Sequence, residues 1–134
     1  LAVRQVTDLL AMRPDFRALE LLSSSHNVSG WVIYTKGGIE LMSAAHVRFF
    51  GPALGINEDP VTGSAQGPLG ALLAINRLVE PGKGRTIRYQ AEQGDAQGRP
   101  GRVHVEVELD GEGVPRRTRI GGVGVTVVRG EVRI

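Results

Sequence analysis

Two hydrophobic rhythms divide the chain into elements. Within residues 102–109 the apolar positions Val103, Val105, Val107 and Leu109 alternate with His104, Glu106 and Glu108, the period-two pattern of a strand with one wet face. Runs rich in β-branched and aromatic residues predict further strands over 31–35, 39–50, 86–93, 114–120 and 123–128. Turn residues separate them at Lys36-Gly37-Gly38, Gly82-Lys83-Gly84, Gly94-Asp95, Asp110-Gly111 and Gly121-Gly122. The helical rhythm appears twice. An apolar stretch over 7–12 ends at Arg13-Pro14-Asp15, and Pro14 is placed to open a helix that buries Phe16, Leu19, Leu21 and Leu22 on one face. The second helix runs to about Val79, and its apolar residues Leu69, Leu72, Leu73, Ala74, Ile75 and Leu78 wrap most of its circumference. Such a helix needs neighbours on every side.

A few strands, one apolar helix and then more strands predict an α+β fold: a curved, mostly antiparallel sheet, or half-barrel, wrapped around that helix. No internal repeat or linker divides residues 1–134, so a single domain is expected. Apolar residues at 41% and charged residues at 22% are ordinary for a folded domain and exclude a disordered chain. No apolar run reaches the roughly 20 residues that span a bilayer, and residues 1–4 lack the order of a signal peptide. A cytoplasmic protein without membrane attachment is the expectation.

Composition also limits the chemistry. With no cysteine there is no disulfide, no thiolate metal site and no thiol nucleophile. A net charge of +2 and 4% aromatic residues supply neither the field nor the stacking surface for nucleic acid. His26, His46 and His104 show no metal-ligand spacing and read as surface or sheet histidines, so neither metal nor cofactor is expected. Ser64 lacks the flanking glycines of a hydrolase elbow, since Thr62 stands at the first of those positions. Arg116, Arg117 and Arg119 read as the solvated face of a strand.

The segment from Gly51 to Gly63 is the most informative. Gly51, Pro52, Gly55, Pro60 and Gly63 predict irregular backbone, and a long loop between regular elements points to function. It delivers Glu58, Asp59, Thr62, Gly63 and Ser64 to the start of the apolar helix. A helix start holds unpaired N–H groups and about half a positive charge, so it favours an anion. Gly63 permits close approach, while Thr62 and Ser64 are both capping residues able to donate hydroxyl bonds; Pro68 early in the helix leaves open which of them is the cap. The plain structural alternative is that one of them only caps the helix and that Glu58 and Asp59 only favour its positive end.

Four blocks in order, Val47-Arg48-Phe49-Phe50-Gly51-Pro52, then Gly55 to Ala65 with Gly67-Pro68-Leu69, then Glu92-Gln93-Gly94 with Gly98-Arg99-Pro100-Gly101, and Ile120-Gly121-Gly122, give the chain a resemblance. It resembles the second lobe of the phenazine-biosynthesis isomerase (PhzF-like) family, of the diaminopimelate-epimerase fold. The resemblance implies two lobes, each a curved sheet around a helix, with a cofactor-independent active site between the two helix starts. It implies that Asp59 and Ser64 line that cleft, that Thr62-Gly63-Ser64 help hold a small carboxylate-bearing substrate, and that the main proton-transfer glutamate comes from a first lobe. Asp59 is thus the candidate catalytic residue, and Glu58, Thr62, Gly63 and Ser64 the candidate substrate-binding residues. The two-thiol racemisation of the epimerases is excluded, since cysteine is absent. A separate polypeptide, a second copy in a homodimer, or another part of a longer chain would supply the first lobe; alone, this lobe is expected to be inactive or very weak. The alternative is a non-catalytic module that keeps the fold and binds a small anion or serves assembly.

Overall fold

The longest ladder pairs β5 (Thr86–Gln93) with β6 (Gly101–Leu109), antiparallel and in unbroken register from Thr86↔Glu108 to Gln93↔Gly101. The alternation in β6 explains its place: Val103, Val105 and Val107 are buried while His104 stays exposed. In the computed structural model, which describes residues 1–82 and 84–133, this ladder belongs to a curved, unclosed sheet of seven strands. Its order is β1 (Ala2–Val3), β2 (Trp31–Lys36), β3 (Ser43–Gly51), β5, β6 and β7 (Pro115–Gly122), with β4 (Ile56–Asp59) branching from β3. The β1/β2 and β3/β5 contacts are parallel and the other pairings antiparallel.

The apolar helix is α3 (Gly63–Ile75), and it lies in the concave face. Leu69, Leu73 and Ala74 pack there against Val47, Ile87, Ala91, Val103, Val105 and Val107. Because side chains alternate along a strand, the opposite face of β3 presents His46, Arg48 and Phe50. That face is covered by α1 (Val6–Ala11) and α2 (Phe16–His26), giving a second small core of Leu9, Ile33 and Phe50. Phe16 meets Phe50 edge to face with ring centroids 6.1 Å apart. β3 is therefore buried on both sides, which is why its sequence does not alternate.

The structure differs from the sequence pattern in several places. On α2, Leu21 and Leu22, expected on its buried face, are exposed at 64% and 44%. The stretch after Phe50 is not irregular throughout: Pro52–Leu54 form a 3-10 turn and β4 follows, pairing with β3. Residues 39–42 form a loop, and the strand begins at Ser43, so the β2–β3 connection is longer than a two-glycine hairpin. Asp15 is the cap of α2, accepting from Ala18 N at 3.0 Å, and Pro14 lies before the helix. α3 stops at Ile75, four residues short of Val79; Leu78 and Val79 pack on the core from the following turn. Residues 123–128 make no strand, and Val123, Val125, Val127 and Val128 are exposed. The turn expected at 82–84 includes Lys83, which lies outside the described residues.

One turn glycine controls the site's support. Gly94 follows β5 with φ of +92°, and a Cβ there would run into the carbonyl oxygens of Arg99 and Pro60. Both contacts are backbone, which cannot swing aside. Gly94→Ala is expected to lose about 3 kcal/mol from left-handed strain plus overpacking, read as a lower urea midpoint at unchanged slope.

Candidate functional site at the start of the apolar helix

Thr62 is the N-cap of α3, but its side chain makes no capping bond. Its hydroxyl instead donates to Asp59 Oδ2 at 2.5 Å. The first amides of the helix, on Gly63 and Ser64, therefore have no side-chain partner among the described residues, and both residues are exposed. Gly63 borders a groove of about 510 Å³ whose walls include Val61, Val103, Ile120, Gly121 and Gly122. The helix start is open to a small molecule, with the Asp59 carboxylate three residues upstream.

The site is held from below by Gln93, at the end of β5 and fully buried. Its Nε2 donates to the Asp59 carbonyl at 2.8 Å and to Thr62 Oγ1 at 2.9 Å. Its Oε1 accepts from Thr62 N at 3.2 Å and from Gln66 Nε2 at 3.1 Å. Gln66 Oε1, also buried, has no partner among the described residues. Gln93 was visible in the sequence only as part of the Glu92-Gln93-Gly94 block. Nothing in composition or spacing marks it as the residue that fastens Asp59 to α3.

Glu58 requires a correction. It was expected at the helix start beside Asp59, but neighbouring strand residues point to opposite faces, and Glu58 on β4 points to the outer one. There Arg48 donates Nε to Glu58 Oε1 at 2.7 Å and Nη2 to Oε2 at 2.8 Å. Arg48 Nη1 donates to the carbonyls of Leu9 and Met12, both at 2.9 Å, at the end of α1, and the guanidinium stacks 4.9 Å over Phe50. With both its oxygens bound to the guanidinium, Glu58 is a structural partner.

A second buried group lies on β3. His46 is a sheet histidine, fully buried, and its Nδ1 lies 2.7 Å from Glu92 Oε2. Glu92 also accepts the backbone amides of Ile39 at 2.7 Å and Glu40 at 2.6 Å. Burial pushes the Glu92 carboxyl up, yet the bonds from Glu40, Ile39, Ser43 and His46 outweigh it and hold it below the usual value. His46, Glu92 and Asp95 bring possible metal-ligand atoms within 4.8 Å of one another. The two carboxylates are committed to the protein, Glu92 as above and Asp95 to the Arg102 guanidinium at 3.1 and 3.2 Å, while buried His46 Nε2 has no hydrogen-bond partner among the described residues. A cation placed there would face that guanidinium, so the cluster fits a clamp on the 39–42 loop better than a metal centre. On β7 the expected solvated arginines are exposed, and Arg116 and Arg119 pair with Asp110, Glu106 and Glu108.

A mixed sheet curled on one apolar helix, with an exposed helix start and a carboxylate beside it, defines a half-barrel α+β lobe. The chain belongs to the phenazine biosynthesis-like protein family, whose model matches residues 1–130. It is 35% identical over 132 residues to an uncharacterized isomerase of Clostridium acetobutylicum, covering 98% of this chain and 43% of that protein. It is 34% identical over 127 residues to a trans-2,3-dihydro-3-hydroxyanthranilate isomerase of Pseudomonas chlororaphis, covering 95% and 41%. The fold matches the crystal structure of a PhzF-family phenazine biosynthesis protein of Bacillus anthracis, with a TM-score of 0.69 and 24% identity over 91% of this chain and 44% of that one. The chain thus spans about two fifths of the length of the relatives it matches. No helix among the described residues is long and apolar enough to cross a membrane.

Proposed function

We propose that this chain is one lobe of a two-lobed, cofactor-independent isomerase that moves a proton on a small carboxylate-bearing substrate. The observation that carries the reading is the open start of α3, where the exposed amides of Gly63 and Ser64 adjoin the Asp59 carboxylate. Proton removal from carbon beside a carboxylate builds negative charge on the substrate's oxygens, and preorganised N–H donors stabilise that charge. Such donors contribute about 3 kcal/mol when a closed site excludes water. Here the Gly63 and Ser64 amides hold the substrate carboxylate, with the Ser64 hydroxyl beside them. Asp59 exchanges or orients a proton. Thr62 acts through Asp59, since its hydroxyl proton is given to that carboxylate.

The lobe needs a facing surface to exclude water. Leu72 and Ile75 on α3 are exposed at 43% and 64%, so the apolar helix is covered by its own sheet on one side only. A first lobe, on a separate polypeptide, a second copy or another part of a longer chain, closes the cleft and supplies the main proton-transfer group. Matches to relatives named as isomerases over 98% and 95% of this chain support the reaction class.

The test is solvent-deuterium incorporation into trans-2,3-dihydro-3-hydroxyanthranilate and into 2-amino and 2-hydroxy acids, with and without a co-expressed first lobe. Exchange is expected only with both lobes, and Asp59→Asn is expected to lower it at least a hundredfold while leaving the fold intact. Absence of exchange in every pairing favours a non-catalytic anion-binding or assembly module.

A further inference from the structure

The hydrogen bonds around Gln93 have no freedom of direction. A backbone N–H can only donate, so the Gln93 atom 3.2 Å from Thr62 N is the amide oxygen. A backbone carbonyl can only accept, so the Gln93 atom 2.8 Å from the Asp59 carbonyl is the amide nitrogen. With the amide oriented by these two backbone groups, its other N–H points at Thr62 Oγ1 at 2.9 Å. The hydroxyl accepts that bond and carries its own proton to Asp59 Oδ2 at 2.5 Å. While the hydroxyl proton is directed at Oδ2, an arriving proton finds its open place on Asp59 Oδ1, which has no partner among the described residues.

We propose that Gln93 and Thr62 are positioning residues that make Asp59 Oδ2 a fixed acceptor and assign proton exchange to Oδ1. The inference rests on the reading of Asp59 as a proton-handling group. When Asp59 acts as base, the O–H bond forms on Oδ1 as the substrate C–H bond breaks, and the C–H electron pair passes into the carboxylate-stabilised anion. The return step reverses this, and Gln93 and Thr62 keep their protons throughout. Two features make the relay rigid. Thr62 and Gln93 are both buried, at 8% and 0% exposure, and Gln66 supplies the fourth hydrogen bond of the Gln93 amide.

The relay is tested on the full chain without any substrate, by NMR at neutral pH, following the Asp59 side-chain carboxyl carbon and the Thr62 hydroxyl proton. Thr62→Val removes the donor to Oδ2 and adds no charge; it is expected to shift the Asp59 carboxyl resonance while leaving those of the distant carboxylates in place. Thr62→Ser keeps the hydroxyl and is expected to restore the wild-type resonance. Gln93→Met leaves the hydroxyl undirected; it is expected to move the resonance part of the way and to abolish the slowly exchanging Thr62 hydroxyl proton. Wild-type Asp59 resonances in both Thr62→Val and Gln93→Met, with the amide spectrum of β5 and β6 intact, overturn the proposal. Should Gln93→Met not fold, the Val and Ser variants at position 62 decide it alone. Loss of the deuterium-exchange result would count against Asp59 as the reacting group, whereas the carboxyl resonance reads the relay itself, so the two failures are distinct.

Discussion

Arg48→Met is expected to lower the folding stability of the chain by about 3–5 kcal/mol, the range for a buried ion pair broken on one side. The guanidinium is 6% exposed and its Glu58 partner 13%, so neither has water to replace the lost bonds. The variant strands the Glu58 carboxylate and takes the shorter of two hydrogen bonds from each of the carbonyls of Leu9 and Met12, which keep only Met12 N and Arg13 Nη1, both at 3.4 Å. Lysine does not repair it, since a single ammonium cannot serve the two oxygens of Glu58 and two carbonyls in a planar fork. Urea unfolding measures the loss. Combining Arg48→Met with Glu58→Leu is expected to recover part of it, because the uncompensated carboxylate is then gone while the carbonyls of Leu9 and Met12 still lack the guanidinium. Equal losses in the single and double variants would show that the α1 carbonyls, not the ion pair, dominate.

The second large effect is at Glu92. Glu92→Gln turns one accepting oxygen into a donor, so one of the amides of Ile39 or Glu40 faces an N–H and loses its bond. The cost is about 2–4 kcal/mol near neutral pH, from one unmet buried donor and the loss of the charge-assisted bonds that remain. The sign of the pH dependence follows from the lowered carboxyl. Burial works against the charged form, but the Glu40 and Ile39 amides with Ser43 and His46 favour it more strongly. A carboxyl held lower in the folded than in the unfolded state binds fewer protons when folded. Its contribution is therefore complete above the ordinary value of 4.5 and is lost as pH falls through the lower folded value. Stability measured from neutral pH down to pH 3 is expected to drop more steeply in wild type than in Glu92→Gln, the two curves converging at the acid end. Parallel curves would remove Glu92 from the account of acid unfolding.

Much of the architecture was legible because it rests on local chemistry. The alternation in β6 sets which residues face α3, and Leu69, Leu73 and Ala74 set one side of α3 against the concave face of the sheet. What misled the reading was covered backbone. β4 hides in a glycine- and proline-rich stretch since it is only four residues long, and its partner β3 is buried on both faces, so neither shows a period-two rhythm. The valines at 123, 125 and 127 have the composition and rhythm of a strand, but pairing is a property of the neighbour, and none of the described strands lies alongside. At the site, Asp59, Thr62, Gly63 and Ser64 could be gathered from their nearness in sequence to the helix start. Gln93 could not, since it arrives from 31 residues beyond Thr62 through the parallel β3–β5 contact. The fate of Glu58 turned on strand parity, which cannot be assigned before β4 is recognised.

The valine run after β7 has a colloidal consequence. Between Gly122 and Arg129 the backbone offers a stretch without a single charge, with four exposed valines and no strand paired to it among the described residues. High β propensity, no proline and low charge are the ingredients of intermolecular zippering, and the gatekeeping charges Arg129, Glu131 and Arg133 stand only on its far side. In concentrated solutions of the isolated chain, this ribbon is where chains would first stick together, and its shielding sets how soluble the lobe is.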